Sequence, residues 1–286
     1  MSAEAVVLPT PDGHAVPARL FRAEAPRAFA LINGAVGVRQ RYYRRFAAFL
    51  AENGVETLTY DYRGVGEARP ARLRGCPGRL SDWGSQDFPT ALRWMHQRAQ
   101  GRPLSLIGHS FGGQALAFLP DDIPLAGIWL VAAQLGQLSL WPSAWDRLRI
   151  RLFWGVFTPL LTRTLGYYPR QAGMGEDLPA GVARQWARWG LSEGYLLSEF
   201  PEAAQRLAAI RAPVIAVALA DDTFYAPAVT VDALLALLTS APVDRRLIAP
   251  AAIGVPEIGH FGFFRDTFRE TLWTDALQAI ERWSER

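Results

Sequence analysis

The residues Gly108-His109-Ser110-Phe111-Gly112 set a serine between two glycines, with a third glycine, Gly113, close behind. An apolar run, Leu104 to Ile107, precedes them, and a helical pattern from Gln114 to Leu119 follows. A strand, a tight turn and a helix in that order can raise a hydroxyl above a sheet edge, the context that gives a G-x-S-x-G string its meaning. The turn strains the serine backbone, and β-carbons on the flanking residues would strike neighbouring elements, hence the glycines. The helix N-terminus beside the hydroxyl favours developing negative charge. Ser110 is therefore the candidate nucleophile.

A serine hydroxyl needs a base to take its proton, and the chain has four histidines. His14 falls in a turn with the composition of a surface loop. His96 sits mid-helix beside Trp94 and Met95. His109 belongs to the turn itself; it can line a pocket but cannot easily face its own neighbour. His260 remains, in Glu257-Ile258-Gly259-His260-Phe261-Gly262-Phe263-Phe264, a Gly-flanked loop after the last expected strand and before the terminal helix. It is the candidate general base.

Such a base is held in one tautomer by a carboxylate on its other nitrogen. The apolar run Val214 to Leu219 ends in Ala220-Asp221-Asp222-Thr223-Phe224-Tyr225-Ala226-Pro227. Two carboxylates just past a buried strand suit the role. The spacing to Pro227 favours Asp222, with Asp221 as the alternative acid. Acyl transfer also needs N–H donors for a tetrahedral oxyanion. Phe111, the residue after the nucleophile, supplies one. The glycine-rich loop Asn33-Gly34-Ala35-Val36-Gly37 supplies the second, from Ala35 or, in reserve, Val36.

These loops need a scaffold, and the apolar runs provide it. Val6 to Leu8 and Ala15 to Phe21 flank the turn Thr10-Pro11-Asp12-Gly13, a hairpin pattern. Strands follow at Ala28 to Ile32, Val55 to Tyr60, Leu104 to Ile107, Ile128 to Val131, Val214 to Leu219 and Arg246 to Ile248. Helical patterns alternate with them: one through Tyr42, Phe46, Phe49 and Leu50 that ends at Asn53-Gly54, one over Phe88 to Arg98, one over Val229 to Leu238, and one after Phe264. Alternation of this kind predicts a single α/β domain over residues 1–286, a mostly parallel sheet with helices on both faces. The stretch 135–205 breaks the rhythm. It holds Trp141, Trp145, Trp154, Trp186 and Trp189 in helical patterns with no evident strand, and reads as a helical cap over the edge where open α/β sheets bind ligands.

Composition narrows the function classes. Half the residues are apolar and 30 basic residues stand against 27 acidic ones, with no block of like charge, so nucleic acid is not an expected partner. Cys76 is the only cysteine, which leaves no intramolecular disulfide. The first residues lack the basic patch and apolar run of a secretory signal, and Leu152 to Tyr168 is too short and too interrupted for a membrane span. A soluble, cytoplasmic protein is expected.

Taken together the motifs resemble the α/β-hydrolase superfamily over nearly the whole chain, and are similar above all to predicted hydrolases grouped with serine aminopeptidases and monoacylglycerol lipases. The resemblance is carried by Asn33-Gly34, where the family usually has His-Gly, by Asp61-Tyr62-Arg63-Gly64-Val65-Gly66, by Gly108 to Gly113, by the Asp221-Asp222 pair and by Gly259-His260-Phe261-Gly262-Phe263-Phe264-Arg265. It implies an eight-stranded sheet, a cap between the sixth and seventh strands, and neither metal nor organic cofactor. A serine in the nucleophile position disfavours dehalogenase and epoxide hydrolase chemistry.

The expected activity is hydrolysis of an ester or related acyl bond, carboxylesterase- or lipase-like, on a small acyl substrate with an apolar portion. Thioesterase, amidase, peptidase and acyltransferase chemistry would use the same side chains. A non-catalytic ligand-binding protein on this scaffold is a rival reading. Another takes the cap as a membrane-surface or partner-binding element, because Leu152 to Tyr168 is apolar with basic flanks. The sequence leaves the oligomeric state open.

Overall fold

The computed structural model describes residues 3–173 and 175–285. Eight strands form one sheet: β1 (Glu4–Pro9), β2 (Ala15–Phe21), β3 (Ala28–Asn33), β4 (Val55–Tyr60), β5 (Leu104–His109), β6 (Gly127–Val131), β7 (Val214–Leu219) and β8 (Val243–Ile248). Their spatial order is β1-β2-β4-β3-β5-β6-β7-β8. The hairpin β1–β2 and the β2–β4 pair are antiparallel and every other pair is parallel.

The five central strands, β3 to β7, are buried along their whole length, and most read as largely apolar runs; β4 is the exception, with Glu56, Thr57 and Thr59 buried among its apolar residues. Alternate residues serve opposite faces. Phe29, Leu31, Leu104 and Leu106 pack with Trp83, Phe88 and Leu92, whereas Ala30, Ile32 and Ile107 pack with Phe46, Trp273 and Ile280. Helices Arg44–Glu52 and Thr274–Ser284 cover the second face, and Phe88–Ala99 the first.

Sequence and structure differ at several boundaries. β8 begins at Val243, three residues before its apolar part; as an edge strand with Asp244, Arg245 and Leu247 exposed, it shows little burial pattern. The helix expected after Ser110 is one α-turn, Phe111–Gln114, continued by a 3-10 turn over Ala115–Phe118 and stopped before Pro120. Between β6 and β7 the chain is helical, as expected, except that Tyr167–Tyr168 pairs with Leu178–Pro179 in a two-residue antiparallel ribbon too short to leave a sequence pattern. In that segment Ala144–Leu152, a π-turn over Phe153–Phe157 and Thr158–Thr164 run on as one helix. Ser143 caps its start by accepting a bond from the Asp146 N–H. Among the described residues no helix is long and apolar enough to cross a membrane.

The register sets Asn33 opposite Gly108 and His109 opposite Val131, so the C-terminal ends of β3, β5 and β6 meet at the serine turn. There is no room for a side chain where the turn meets β3. A β-carbon on Gly112 would stand 1.9 Å from the Asn33 carbonyl oxygen. Gly112→Ala should therefore destabilise the protein by more than about 3 kcal/mol, or prevent folding, since backbone would have to move. Gly13→Ala, at φ +80° with nothing within 4 Å of the new carbon, should cost only about 1 kcal/mol. Urea unfolding of the two variants checks the contrast.

Candidate active site

Ser110 follows β5 directly and has φ 52° and ψ −116°. Its N–H donates to the Val131 carbonyl at 2.9 Å, and its own carbonyl accepts from the Gly113 N–H at 2.9 Å. The turn is thus pinned to β6 on one side and to its own helix on the other. On the β3 side Asn33, fully buried, donates from Nδ2 to the Gly112 carbonyl at 2.8 Å. Its Oδ1 accepts from the hydroxyls of Tyr60 and Tyr62. The Asn33 amide therefore braces the serine turn against Tyr60 and Tyr62, at and just beyond the end of β4.

Those residues are held in turn. The Asp61 carboxylate accepts from the N–H groups of Gln40 (2.7 Å) and Glu67 (2.9 Å) and from the Gln40 amide, while burial pushes its pKa up. The Arg63 guanidinium joins Asp87, which is buried, to Asp12 in the hairpin turn. Tyr62 stacks on Trp83 with ring centroids 4.6 Å apart.

The two carboxylates after β7 do different things. Asp222 places Oδ2 2.5 Å from His260 Nδ1, and its Oδ1 accepts from the N–H groups of Tyr225 and Ala226, both at 3.1 Å. Asp221 does not touch the imidazole. Its Oδ2 accepts from the N–H groups of Ile258 (2.7 Å) and Gly259 (2.9 Å), so it ties down the loop that carries His260. That loop turns at Gly259, φ +64°. With Nδ1 engaged by Asp222, Nε2 is the ring nitrogen left to accept a proton.

His260 and Ser110 line the same cavity of about 230 Å³. Ala35 and Val36 border it, and its far wall is aromatic, with Trp141, Trp154, Trp186 and Phe224. His14 and His96 lie elsewhere.

Two expectations shift. The Ala35 N–H, first choice as the second oxyanion donor, is taken up by the Tyr43 hydroxyl at 2.9 Å. The reserve, Val36, borders the cavity, and its N–H has no protein partner among the described residues, as is also true of Phe111. His109 does not line the cavity; it is fully buried in the packed layer beneath. Its Nε2 lies 3.0 Å from the His260 carbonyl and its Nδ1 2.9 Å from the Tyr43 hydroxyl. A carbonyl only accepts, so Nε2 carries the proton and Nδ1 accepts from Tyr43, which in turn accepts from Ala35. This chain joins the loop after β3 to the loop of His260. Sequence reasoning missed it because Tyr43 sits in an ordinary helical pattern.

The family model for alpha/beta hydrolases matches residues 29–271. The chain belongs to the alpha/beta hydrolase family. Solved structures of similar fold superpose over nearly the whole chain at low identity. An esterase from Exiguobacterium antarcticum is 15% identical with a TM-score of 0.64, over 97% of this chain and 100% of that one. A carboxyl esterase from Bacillus coagulans is 15% identical with a TM-score of 0.62, over 99% of each. A monoglyceride lipase from Saccharomyces cerevisiae is 18% identical with a TM-score of 0.65, over 99% of this chain and 96% of that one. No curated protein gives a significant match.

For this hydrolase the buried His109 has a consequence in acid. Burial, with the neighbouring His260, drives its pKa well below the usual value. Below about pH 6.5 the unfolded chain takes up a proton on this residue that the folded chain refuses, so stability falls with pH, at up to about 1.4 kcal/mol per pH unit. Asp87, raised by burial to about 6, acts in the opposite direction. His109→Gln leaves Asp87 unchanged, so below pH 6.5 the variant should lose stability less steeply than the parent. Urea midpoints between pH 7.5 and 5 measure the difference, and parallel curves would refute it.

Proposed function

We propose that the protein is a serine hydrolase that cleaves carboxylic esters with an apolar acyl or aromatic portion. The observation that carries the proposal is the bond from His260 Nδ1 to Asp222, made while His260 shares a cavity wall with Ser110. Ser110 Oγ attacks the ester carbonyl as His260 Nε2 accepts its proton, and Asp222 stabilises the imidazolium. The oxyanion is held by the N–H groups of Phe111 and Val36. His260 then returns the proton to the departing alkoxide. Water repeats the sequence on the acyl-enzyme and releases the acid and Ser110.

The helical segment 135–205 acts as the lid. Trp141, Ile150, Phe153, Trp154 and Trp186 come from it and make up most of the apolar wall, so substrate preference is set there. Esterases and a monoglyceride lipase among the similar structures support an ester substrate. The small cavity favours short and medium acyl chains over long ones.

A fluorophosphonate probe and a series of p-nitrophenyl esters, run beside thioester and amide analogues, test this. The probe should label the protein but not Ser110→Ala, which should lose activity by on the order of 10⁴-fold or more. Asp222→Asn should cost on the order of 10³- to 10⁴-fold. Asp221→Asn, which keeps an acceptor for the loop, should stay within about tenfold of the parent. Probe labelling that survives Ser110→Ala, or equal losses at the two aspartates, would contradict the assignment.

A further inference from the structure

The helix running over 144–164 has two apolar faces, and only one is covered. Ile150, Phe153 and Trp154 turn inward and line the cavity. Trp145, Leu148, Leu152, Val156 and Leu160, spaced by three, four, four and four residues, are exposed, as is Phe157. These six account for half of the twelve large apolar side chains exposed among the described residues, and the others are mostly scattered. The wider π-turn over Phe153–Phe157 holds side chains spaced by four in line where a regular α-helix would drift. The exposed ridge begins before the apolar stretch Leu152 to Tyr168 and overlaps only its outward side, since Trp154, Thr158, Thr162 and Tyr168 within that stretch are buried.

We propose that this ridge docks the protein on an anionic lipid bilayer. Charge decides the partner. The helix carries Arg147, Arg149, Arg151 and Arg163 against a single acid, Asp146. Arg151 and Arg163 are exposed and make no ion pair among the described residues. Beside the ridge, Arg163 and Arg184 line one groove with Gly155, Pro159 and Leu191, together with Arg188, which is paired to Glu199; the groove is a place for lipid phosphates next to a ridge for acyl chains. A second copy is a poorer fit, since a two-fold interface on this helix would set arginine against arginine. Docked in this way, the helix separates bilayer from cavity by its own thickness. The inference concerns the outer face alone and stands whichever acyl bond the cavity accepts.

Flotation of the full chain with vesicles of phosphatidylcholine, alone or mixed with phosphatidylglycerol, tests it. At low salt the protein should bind the mixed vesicles at least about tenfold more tightly than the neutral ones. Trp145→Ser combined with Leu160→Ser should weaken binding by about tenfold or more. Arg151→Glu combined with Arg163→Glu should abolish the preference for anionic lipid. None of the four side chains borders the cavity, so circular dichroism and turnover of a water-soluble ester should match the parent. No flotation at low salt, or flotation unchanged in both double variants, overturns the proposal. So does a dimer, seen by light scattering, that the Trp145/Leu160 variant dissociates.

Discussion

The backbone at Ser110 has positive φ, a conformation that costs a residue with a β-carbon on the order of 1–3 kcal/mol. It persists because the surroundings leave the turn no other place. Gly113 could not carry a β-carbon without striking Ala133, nor Gly112 without striking Asn33. Both contacts arise because parallel strands end in register around the turn. The sheet is thus more than a platform: its central register is the constraint that holds a strained serine in the wall of the cavity.

Around that turn the loops from β3, β5 and β7, with the loop after β8, are bonded mostly to one another. Asn33 links the first to the second, Tyr43 and His109 link the first to the His260 loop, and Asp221 and Asp222 link that loop to the end of β7. Each such bond contributes only about 1 kcal/mol net, but leaving one buried partner unmet costs about 1–3 kcal/mol. The asymmetry makes the set behave as a unit. Removing one member harms the geometry more than its own bond is worth, which is the behaviour a preorganised site requires.

Much of this architecture was legible in the chain. Most of the buried strands announce themselves as largely apolar runs, and Gly108 to Gly113 and Asp221-Asp222 stand at the ends of two of them, while His260 stands in a Gly-flanked loop before the terminal helix. What stayed hidden has a common cause, since no local pattern records which polar groups meet across the fold. Nothing in Tyr60 or Tyr62 foretells that both hydroxyls reach Asn33, and nothing in Tyr43 foretells that it occupies the Ala35 N–H. The edge strand β8 was seen only in part because one side of it faces water. Spacing to Pro227 favours Asp222 over Asp221 only weakly, because adjacent carboxylates in a loop differ chiefly in where they point.

The helix over 144–164 shows why periodicity alone misplaces a surface. A sliding view of hydrophobicity marks Leu152 to Tyr168 as the apolar stretch, yet that stretch mixes residues on the protein interior with residues facing water. The true division runs lengthwise, and the π-turn makes it possible: by widening one turn it lets positions 145, 148, 152, 156 and 160 share a line while Trp154 swings in to meet Trp141 and Trp186. A regular helix of the same composition would rotate its lower half away from either the cavity or the outer ridge. Keeping both apolar faces aligned is a physical reason for tolerating a rare, weaker hydrogen-bond pattern at this point in the chain, and it couples the wall of the cavity to whatever covers the ridge.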